Sequence, residues 1–192
     1  MLLSPLRAVY WPEKETLILS DLHVGKSAHF RKNGIPVPNL VSESDIARLE
    51  KLLEHYPSRQ MIIVGDLIHA GMNSDSVHFQ EWLKSHPEVR VSLIKGNHDR
   101  IKPEKLVAWG LHEVIEEGRV GSLLFTHDAP KNLTQCTISG HLHPGVLLDM
   151  PFKKRLKLPC FIVTPTTLVL PAFSEFTGLD TSNHPEQARY YA

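Results

Sequence analysis

Residues 16–23 read TLILSDLH, residues 61–66 read MIIVGD, and residues 91–99 read VSLIKGNHD. In each stretch a short apolar run, rich in β-branched residues, ends in a polar cluster. Such runs are typical of buried strands. Residues 122–125 before THD and residues 136–138 before SGHLH repeat the pattern. Because open α/β sheets collect their functional loops where strands end, the sequence predicts an α/β protein with a site at these strand ends.

Helices are predicted between the first strands. VSESDIARLEKLLEHY (41–56) places its apolar residues on one stripe, and Ser42 with Asp45 resembles a capping arrangement. DSVHFQEWLKSH (75–86) and KPEKLVAWG (102–110) are similar, with Gly110 where a C-terminal cap is expected. Residues 159–173 are typical of outer strands broken by prolines, and the tail from Thr181 is predicted to be loose.

Length and composition bound the class of protein. The chain has 192 residues and no evident linker, so residues 1–192 are predicted to form one domain. Its formal net charge is zero, which gives no global field for nucleic acid or membrane. Two isolated cysteines form no disulfide framework, and no segment is typical of a signal peptide or a membrane span. These features predict a soluble, cytoplasmic protein that binds no membrane.

The polar clusters together offer carboxylates, imidazoles and an amide oxygen. This donor set suits Mn²⁺, Fe or Zn²⁺ better than Ca²⁺ or a thiolate-held zinc. In D-x-H and H-x-H, side chains two residues apart point the same way along extended chain, so both can face one metal. Gly65, Gly96 and Gly140 are predicted to allow turns that bring backbone close to the metals. The clusters are Asp21–His23, Gly65–Asp66, Gly96–Asp99, His127 and Gly140–His143.

The order D-x-H, GD, GNHD, H, GHxH, carried by residues 16–145, resembles the signature of calcineurin-like metallophosphoesterases. The resemblance implies an α/β fold, a four-layer αββα sandwich, with two divalent metals between the sheet edges. Mn²⁺ is the expected ion, with Fe and Zn²⁺ as alternatives. It also implies ligand roles for the matching positions. The first metal is assigned to Asp21, His23 and His143, the second to Asn97, His127 and His141, with Asp66 bridging both. His127 stands in FTHD, a departure from the more frequent GH or SH pair.

The same resemblance implies catalytic roles for two further residues. His98 would sit over the phosphate as the general acid, and Asp99 would hold its ring. Two bound cations can clamp a phosphoryl group and lower the pKa of water. Asn97 and His98 would also meet the phosphate. Arg100 is a further candidate for phosphate contact, with an ordinary surface residue as the alternative.

Lys26 and Arg31 lie in a basic segment with an aromatic residue, just after the first metal motif. Such a segment can track a nucleic-acid strand. The alternative is a solvated surface loop with Phe30 packed beneath it. His69, three residues after Asp66, is either a partner of the site or a structural residue.

A narrower resemblance covers residues 10–178. SDLHVGKSAHFRKNGIPVP, GDLIHA, GNHDR and LVLPAFSEFTG are similar to ligase-associated DNA damage response endonucleases. This implies a DNA-processing phosphodiesterase that works with a DNA ligase and a helicase. Hydrolysis of a small nucleotide, such as a cyclic nucleotide, is the alternative enzyme. A non-catalytic scaffold of the same fold is disfavoured, because every expected ligand and His98 are present.

Overall fold

The computed structural model describes residues 1–37, 40–69, 71–129, 135–182, 185 and 187–192, without the side chains at 40–42 and 153. Within these residues the chain forms two six-stranded sheets, a two-stranded ribbon and four α-helices. The helices all precede the second sheet in sequence. They are α1 (Lys26–Lys32), α2 (Leu40–His55), α3 (Ser74–Ser85) and α4 (Pro103–Trp109).

The first sheet has the order β1-β2-β3-β4-β5-β6. The strands are β1 (Leu2–Ser4), β2 (Ala8–Trp11), β3 (Thr16–Leu19), β4 (Gln60–Val64), β5 (Arg90–Ile94) and β6 (Glu113–Ile115). The first three pair antiparallel, and β3 to β6 are parallel. Parallel pairing requires crossover connections, which the helices supply. As a result, β3, β4 and β5 all end at the same edge of the sheet.

The second half of the chain supplies the ribbon and the second sheet. The strands are β7 (Glu117–Val120), β8 (Leu123–Thr126), β9 (Thr137–Ser139), β10 (Gly145–Met150), β11 (Lys154–Pro159), β12 (Phe161–Val163), β13 (Thr167–Val169) and β14 (Arg189–Tyr191). The sheet order is β14-β12-β13-β9-β8-β7, and β10 pairs with β11 as the separate ribbon. Since β8 and β9 are parallel neighbours, they also end at one edge.

The two sheets pack face to face. Val9 and Ile18 of the first sheet share a buried cluster with Phe125 and Ile138 of the second. The opposite face of the first sheet packs against α2, α3 and α4 in a second cluster. The predicted α/β sandwich of two sheets is therefore confirmed. In the part of the chain that the structure describes, the helices cover the first sheet, and Val146 of the ribbon packs on the outer face of the second.

Some local expectations were wrong. The segment after the first metal motif is helix α1 rather than a loop, and the tail forms β14 at a sheet edge rather than being loose. β13 lies inside the second sheet, between β12 and β9, rather than at its outside. Gly110 does follow α4 as expected, with φ +122°. The predicted cap at Ser42 falls outside the described side chains.

Candidate metal centre

Three adjacent parallel strands of the first sheet end in the predicted ligands. Asp21 and His23 follow β3, Asp66 follows β4, and Asn97 follows β5. Backbone hydrogen bonds join the first two loops, since Asp21 N donates to Gly65 O at 3.1 Å and His23 N donates to Asp66 O at 2.9 Å. The parallel register therefore continues past the strand ends and fixes these side chains beside one another.

The second sheet brings the remaining imidazoles to the same place. His127 follows β8, while His141 and His143 follow β9. The two loops are tied together, because Gly140 N donates to His127 O at 3.2 Å. A link between the sheets comes from His141 N, which donates to Asp21 Oδ2 at 3.1 Å. The ligands predicted from separate stretches of sequence thus meet at a shared edge of both sheets.

The first group of donors consists of Asp21, His23 and His143, called here the first cluster. The Nε2 atoms of His23 and His143 are 3.4 Å apart. His143 Nε2 is 3.3 Å from Asp21 Oδ1. Asp21 is fully buried and His23 is 4% exposed, whereas the His143 side chain is 22% exposed, so this cluster meets water chiefly through His143.

The second group consists of Asp66, His127 and His141, called here the second cluster. His127 Nε2 lies 3.0 Å from His141 Nδ1 and 3.5 Å from Asp66 Oδ2. Asn97 Oδ1 is 3.0 Å from the same His127 nitrogen, so the predicted amide oxygen joins this cluster. Asp66 is held in place by the backbone N–H of His98, which donates to Oδ1 at 2.8 Å.

Several of these residues occupy left-handed backbone conformations. The φ angles are 53° at Asp21, 47° at His23 and 47° at Asp66, and 67° at His141 and 48° at His143. Non-glycine residues rarely adopt this region, and each instance carries a conformational cost. Such strain concentrates at functional sites, where the surrounding structure holds side chains in position.

The glycines beside the ligands leave room for ligands from other loops. A Cβ atom at Gly65 would lie 1.8 Å from His127 Nδ1, and one at Gly96 would lie 2.2 Å from Asp66 Oδ1. A Cβ at Gly140 would come within 2.7 Å of Asp21 Oδ2. Gly65 alone among these also has a positive φ, +82°. The glycines thus leave space for ligand side chains by lacking a side chain of their own, while the predicted close approach of backbone to the metals stays a prediction.

Burial and charge set the protonation of the donors in the metal-free protein. Burial lowers the pKa of His23 to about 3, which keeps its imidazole neutral. Burial opposes ionisation of Asp66, but hydrogen bonds from His127 and from the His98 backbone hold its pKa at about 2. Burial also disfavours charge on His127, yet the hydrogen bond to Asp66 raises its pKa. Carboxylate and neutral imidazole are the forms that bind metal ions.

The donor geometry fits metal ions. Two ligands on one ion at roughly 2.0–2.2 Å each lie about 3 Å apart. The separations of 3.4 and 3.3 Å in the first cluster and 3.0 Å in the second are of that size. Two ring nitrogens that face each other at this distance cannot both carry a proton. A cation between them would accept the lone pairs of both nitrogens. Among the described residues, the buried Asp21 Oδ1 also has no hydrogen-bond partner. The ligand assignments stay predictions that this arrangement supports.

His98 lies at the open side of the clusters. Its side chain is 40% exposed, and Nε2 is 3.9 Å from Asp66 Oδ2. Its ring stacks on that of His69 with centroids 5.1 Å apart, and it meets the His23 ring at 5.7 Å. His69 therefore borders the site, which fits both a partner of the site and a structural residue near it.

Asp99 contacts backbone N–H groups, whereas the resemblance implies that it contacts and orients the His98 ring. Its Oδ1 accepts the backbone N–H of Ile68 at 2.8 Å, and its Oδ2 accepts that of Gly96 at 2.9 Å. Burial raises its pKa. In the described part of the chain no hydrogen bond joins Asp99 to the His98 ring. Asp99 thus ties the loop after β5 to the loop after β4, and its action on the His98 ring stays a prediction.

The predicted phosphate contacts lie in different surroundings. Burial lowers the pKa of Lys26, and the carboxylates of Asp66 and Asp21 act on it in the opposite direction. Arg31 is paired with the buried Asp75 at 3.3 Å, which offsets part of its charge. Arg100 is exposed and lines an open cavity together with Asn97 and His127. All three contacts stay predictions.

Sequence reasoning missed one segment that borders the site. Phe173 N donates to Ser20 O at 2.8 Å and Ser174 N donates to Asp21 O at 3.2 Å, so the chain after β13 runs beside the first metal loop. Phe176 lies in this segment and meets Phe30 at a centroid distance of 5.2 Å. SEFTG follows a predicted strand, as the metal motifs do, but its one carboxylate, Glu175, stands outside the D-x-H and H-x-H spacings that mark the metal motifs.

The described residues include no helix long and apolar enough to span a membrane.

Comparison with known proteins gives two kinds of match. Residues 15–137 match the family model of calcineurin-like phosphoesterase, about two thirds of the chain. The crystal structure of Pseudomonas putida nuclease MPE is similar, with 30% identity and a TM-score of 0.82 over 97% of this chain and 88% of that one. None of the curated proteins compared with the chain matches it.

Two other solved structures are more remote. The protein AQ665 of Aquifex aeolicus has 18% identity and a TM-score of 0.48, covering 67% of this chain and 78% of that chain. The phosphoesterase Yfce of E. coli has 18% identity and a TM-score of 0.44, covering 81% and 77%. At these values the likeness carries no argument about function.

Proposed function

Because the chain belongs to the calcineurin-like phosphoesterase family and is a metal-dependent phosphoesterase, we propose that it is an endonuclease that cuts DNA, with Mn²⁺ as its preferred ion. The observation that carries the proposal is the convergence of two donor clusters, from both sheets, beside an exposed His98. The nuclease activity named for the similar Pseudomonas putida protein supports DNA as the substrate. The repair context, the ligase and helicase partners and the cytoplasmic location stay predictions.

The donor clusters are suited to phosphoryl chemistry. Asp21, His23 and His143 would hold one cation, and Asn97, His127 and His141 would hold the other, with Asp66 shared between them. When bound, such a pair of cations clamps the phosphate and lowers the pKa of an attacking water. Five of these ligands, all but Asn97 and His127, have left-handed backbone, and the surrounding fold that holds this backbone also holds their donors in place before substrate arrives.

Residues of the chain itself would then move the proton. Hydrolysis adds water across one P–O bond, and the leaving oxygen must gain a proton. His98 is placed for this, because its ring is exposed on the substrate side and its backbone N–H is fixed to Asp66. General acid assistance of this kind typically contributes about 10²–10⁴-fold. Stacking on His69 limits the rotation of the His98 ring.

A second candidate is hydrolysis of a small nucleotide phosphodiester. The observation in its favour is a cavity of about 330 Å³, lined in part by His23 and Lys26, which is large enough for a small molecule. Against it, three carboxylates also line the cavity. Asp45 and Asp75 are paired with Arg48 and Arg31, but the carboxylate of Glu43 disfavours a phosphate there. DNA is therefore the better supported substrate.

The test compares four substrates with Mn²⁺ and with a chelator. These are bis-p-nitrophenyl phosphate, p-nitrophenyl phosphate, a single-stranded oligonucleotide and a cyclic nucleotide. We expect Mn²⁺-dependent cleavage of the diester over the monoester, and internal cleavage of the oligonucleotide. Turnover of the cyclic nucleotide with no cleavage of DNA would favour the second candidate. Failure of the metal-loaded protein on every substrate would refute both.

A further inference from the structure

A strip of aromatic rings extends from the metal centre toward the surface. The ring of His98 stacks on His69 at 5.1 Å, and His69 lies 6.5 Å from Phe30. Phe30 meets Phe176 edge to face at 5.2 Å. Of these rings, the proposed reaction uses His98 as the acid and His69 only to steady it. The remainder, here called the aromatic strip, consists of His69, Phe30 and Phe176.

The aromatic strip is not part of the protein core. All three rings are partly exposed, and neither Phe30 nor Phe176 belongs to a hydrophobic cluster of the described residues. The Lys26 ammonium lies 5.9 Å from the centroid of the Phe176 ring. His69 Nδ1 is buried yet lacks a hydrogen-bond partner among the described residues. Apolar faces beside a cation, next to a phosphate-cleaving centre, suit a ligand with flat rings and negative charge.

The two phenylalanines are held by separate anchors. Phe176 N donates to Ser174 Oγ at 3.2 Å, and the adjoining Glu175 N donates to Asp45 Oδ1 at 3.2 Å. On the other side, Ala28 N donates to Asp75 Oδ2 at 3.0 Å, which fixes α1 to the start of α3. The spacing of the rings is therefore set by the fold, and a ligand need not order them on binding.

We propose that the aromatic strip stacks nucleobases of single-stranded DNA next to the phosphate that is cut, with Lys26 meeting the adjoining backbone. The proposal rests on the proposed nuclease function and adds the strand form to it. Stacking between bases and aromatic side chains tolerates any sequence, because every base has a π-face. Bases in a duplex are already stacked on one another, so an unpaired strand is the form that can use the strip.

The test compares the cleavage of two single strands of equal charge, one with bases near the cleaved phosphate and one without them. One substrate is an oligothymidylate. The other is a strand of the same length in which the nucleotides on both sides of the cleaved phosphate are abasic. The variants are Phe30→Leu, Phe176→Leu and the pair together. Each base stacked on an aromatic side chain adds roughly 5- to 140-fold in affinity, so KM for the oligothymidylate should rise by at least about tenfold in the double variant. The kcat of that strand, and both constants for the abasic strand, should stay unchanged.

Controls separate stacking from damage to the fold. Phe176→Trp keeps an aromatic ring, so its KM for the oligothymidylate should stay close to that of wild type, unlike the KM of Phe176→Leu. Tyr191→Leu removes a 45% exposed ring on β14 and should change neither strand. If wild-type protein cuts DNA and the double variant shows the same preference for the base-bearing strand, the aromatic strip has no such role. If wild-type protein fails even on bis-p-nitrophenyl phosphate, it is the proposed function that fails.

Discussion

The two clusters of the metal centre draw on the same sheets but differ in how their donors are satisfied. In the first cluster Asp21 Oδ1 is fully enclosed and has no hydrogen-bond partner among the described residues. In the second, His127 Nε2 lies 3.0 Å from Asn97 Oδ1 and His141 Nδ1, and His141 is exposed. A more enclosed site with an unpaired carboxylate oxygen gains most from an ion, whereas a more open site with closer internal contacts can exchange one. We expect the first cluster to hold its ion more tightly.

The largest effect should come from substituting the residue that the two clusters are predicted to share. Asp66 is assigned to both ions, so Asp66→Asn should remove both and reduce turnover below detection. Asp21→Asn, the matched change in the first cluster, should remove a single ion. Metal content after dialysis, measured by elemental analysis beside activity on bis-p-nitrophenyl phosphate, checks this. Equal metal loss in the two variants would mean that Asp66 does not bridge.

Next in size is the loss of the proposed acid. His98 borders both clusters without belonging to either, so His98→Ala should keep the metal content of wild type and reduce kcat by about 10²–10⁴-fold. The same variant should lose less rate on a diester whose leaving group needs no proton. Loss of metal in this variant would contradict the role given to His98.

A third substitution should affect the second cluster more than the first, through steric overlap. In Gly65→Ala the added Cβ would overlap His127 Nδ1, which lies 1.8 Å away, so the second cluster should lose about 10–100-fold in metal affinity while the first is spared. Gly34→Ala is the control, because Gly34 shares a positive φ of +79° but has nothing within 4 Å. That control should lose only about 1 kcal/mol of stability and keep both ions.

The smallest effect concerns the stability of the metal-free protein. The folded pKa of His23 is about 3, below its unfolded value, so the unfolded state takes up a proton first and stability falls as pH drops below about 6.5. The folded pKa of His127 is raised, so its contribution is present at low pH and is lost as pH rises through the folded pKa. The two clusters should therefore respond to pH with opposite signs.

Urea unfolding in chelator at pH 7.5 and 5.5 measures the difference. Replacing His23 by Ala should remove about 1.4 kcal/mol of the acid sensitivity, and replacing His127 should increase the sensitivity. His55→Ala, at an exposed histidine that belongs to neither cluster, is the control for loss of a histidine as such. An identical pH response in the His23 and His127 variants would show that the clusters do not differ in this way.

Much of the fold was predictable from the sequence because its signals are local. The runs before SDLH, GDLIH and KGNHD form β3, β4 and β5, and the helical stripes form α2, α3 and α4. β14 and the interior position of β13 were not predictable. The pairing of Arg189–Tyr191 with β12 depends on strands that adjoin it only after folding, so no local pattern marks it.

The site divides in the same way. The spacing of D-x-H, GNHD and H-x-H predicted which side chains serve as donors, because chemistry and local direction are properties of a few neighbouring residues. The family resemblance already implied which donors share a metal, and only the tertiary structure placed Phe176 against Phe30. The tertiary structure also placed the Asp99 carboxylate where it accepts hydrogen bonds from the backbone N–H groups of Ile68 and Gly96. These contacts join segments far apart in sequence, and the packing of two sheets, rather than any motif, sets which segments meet.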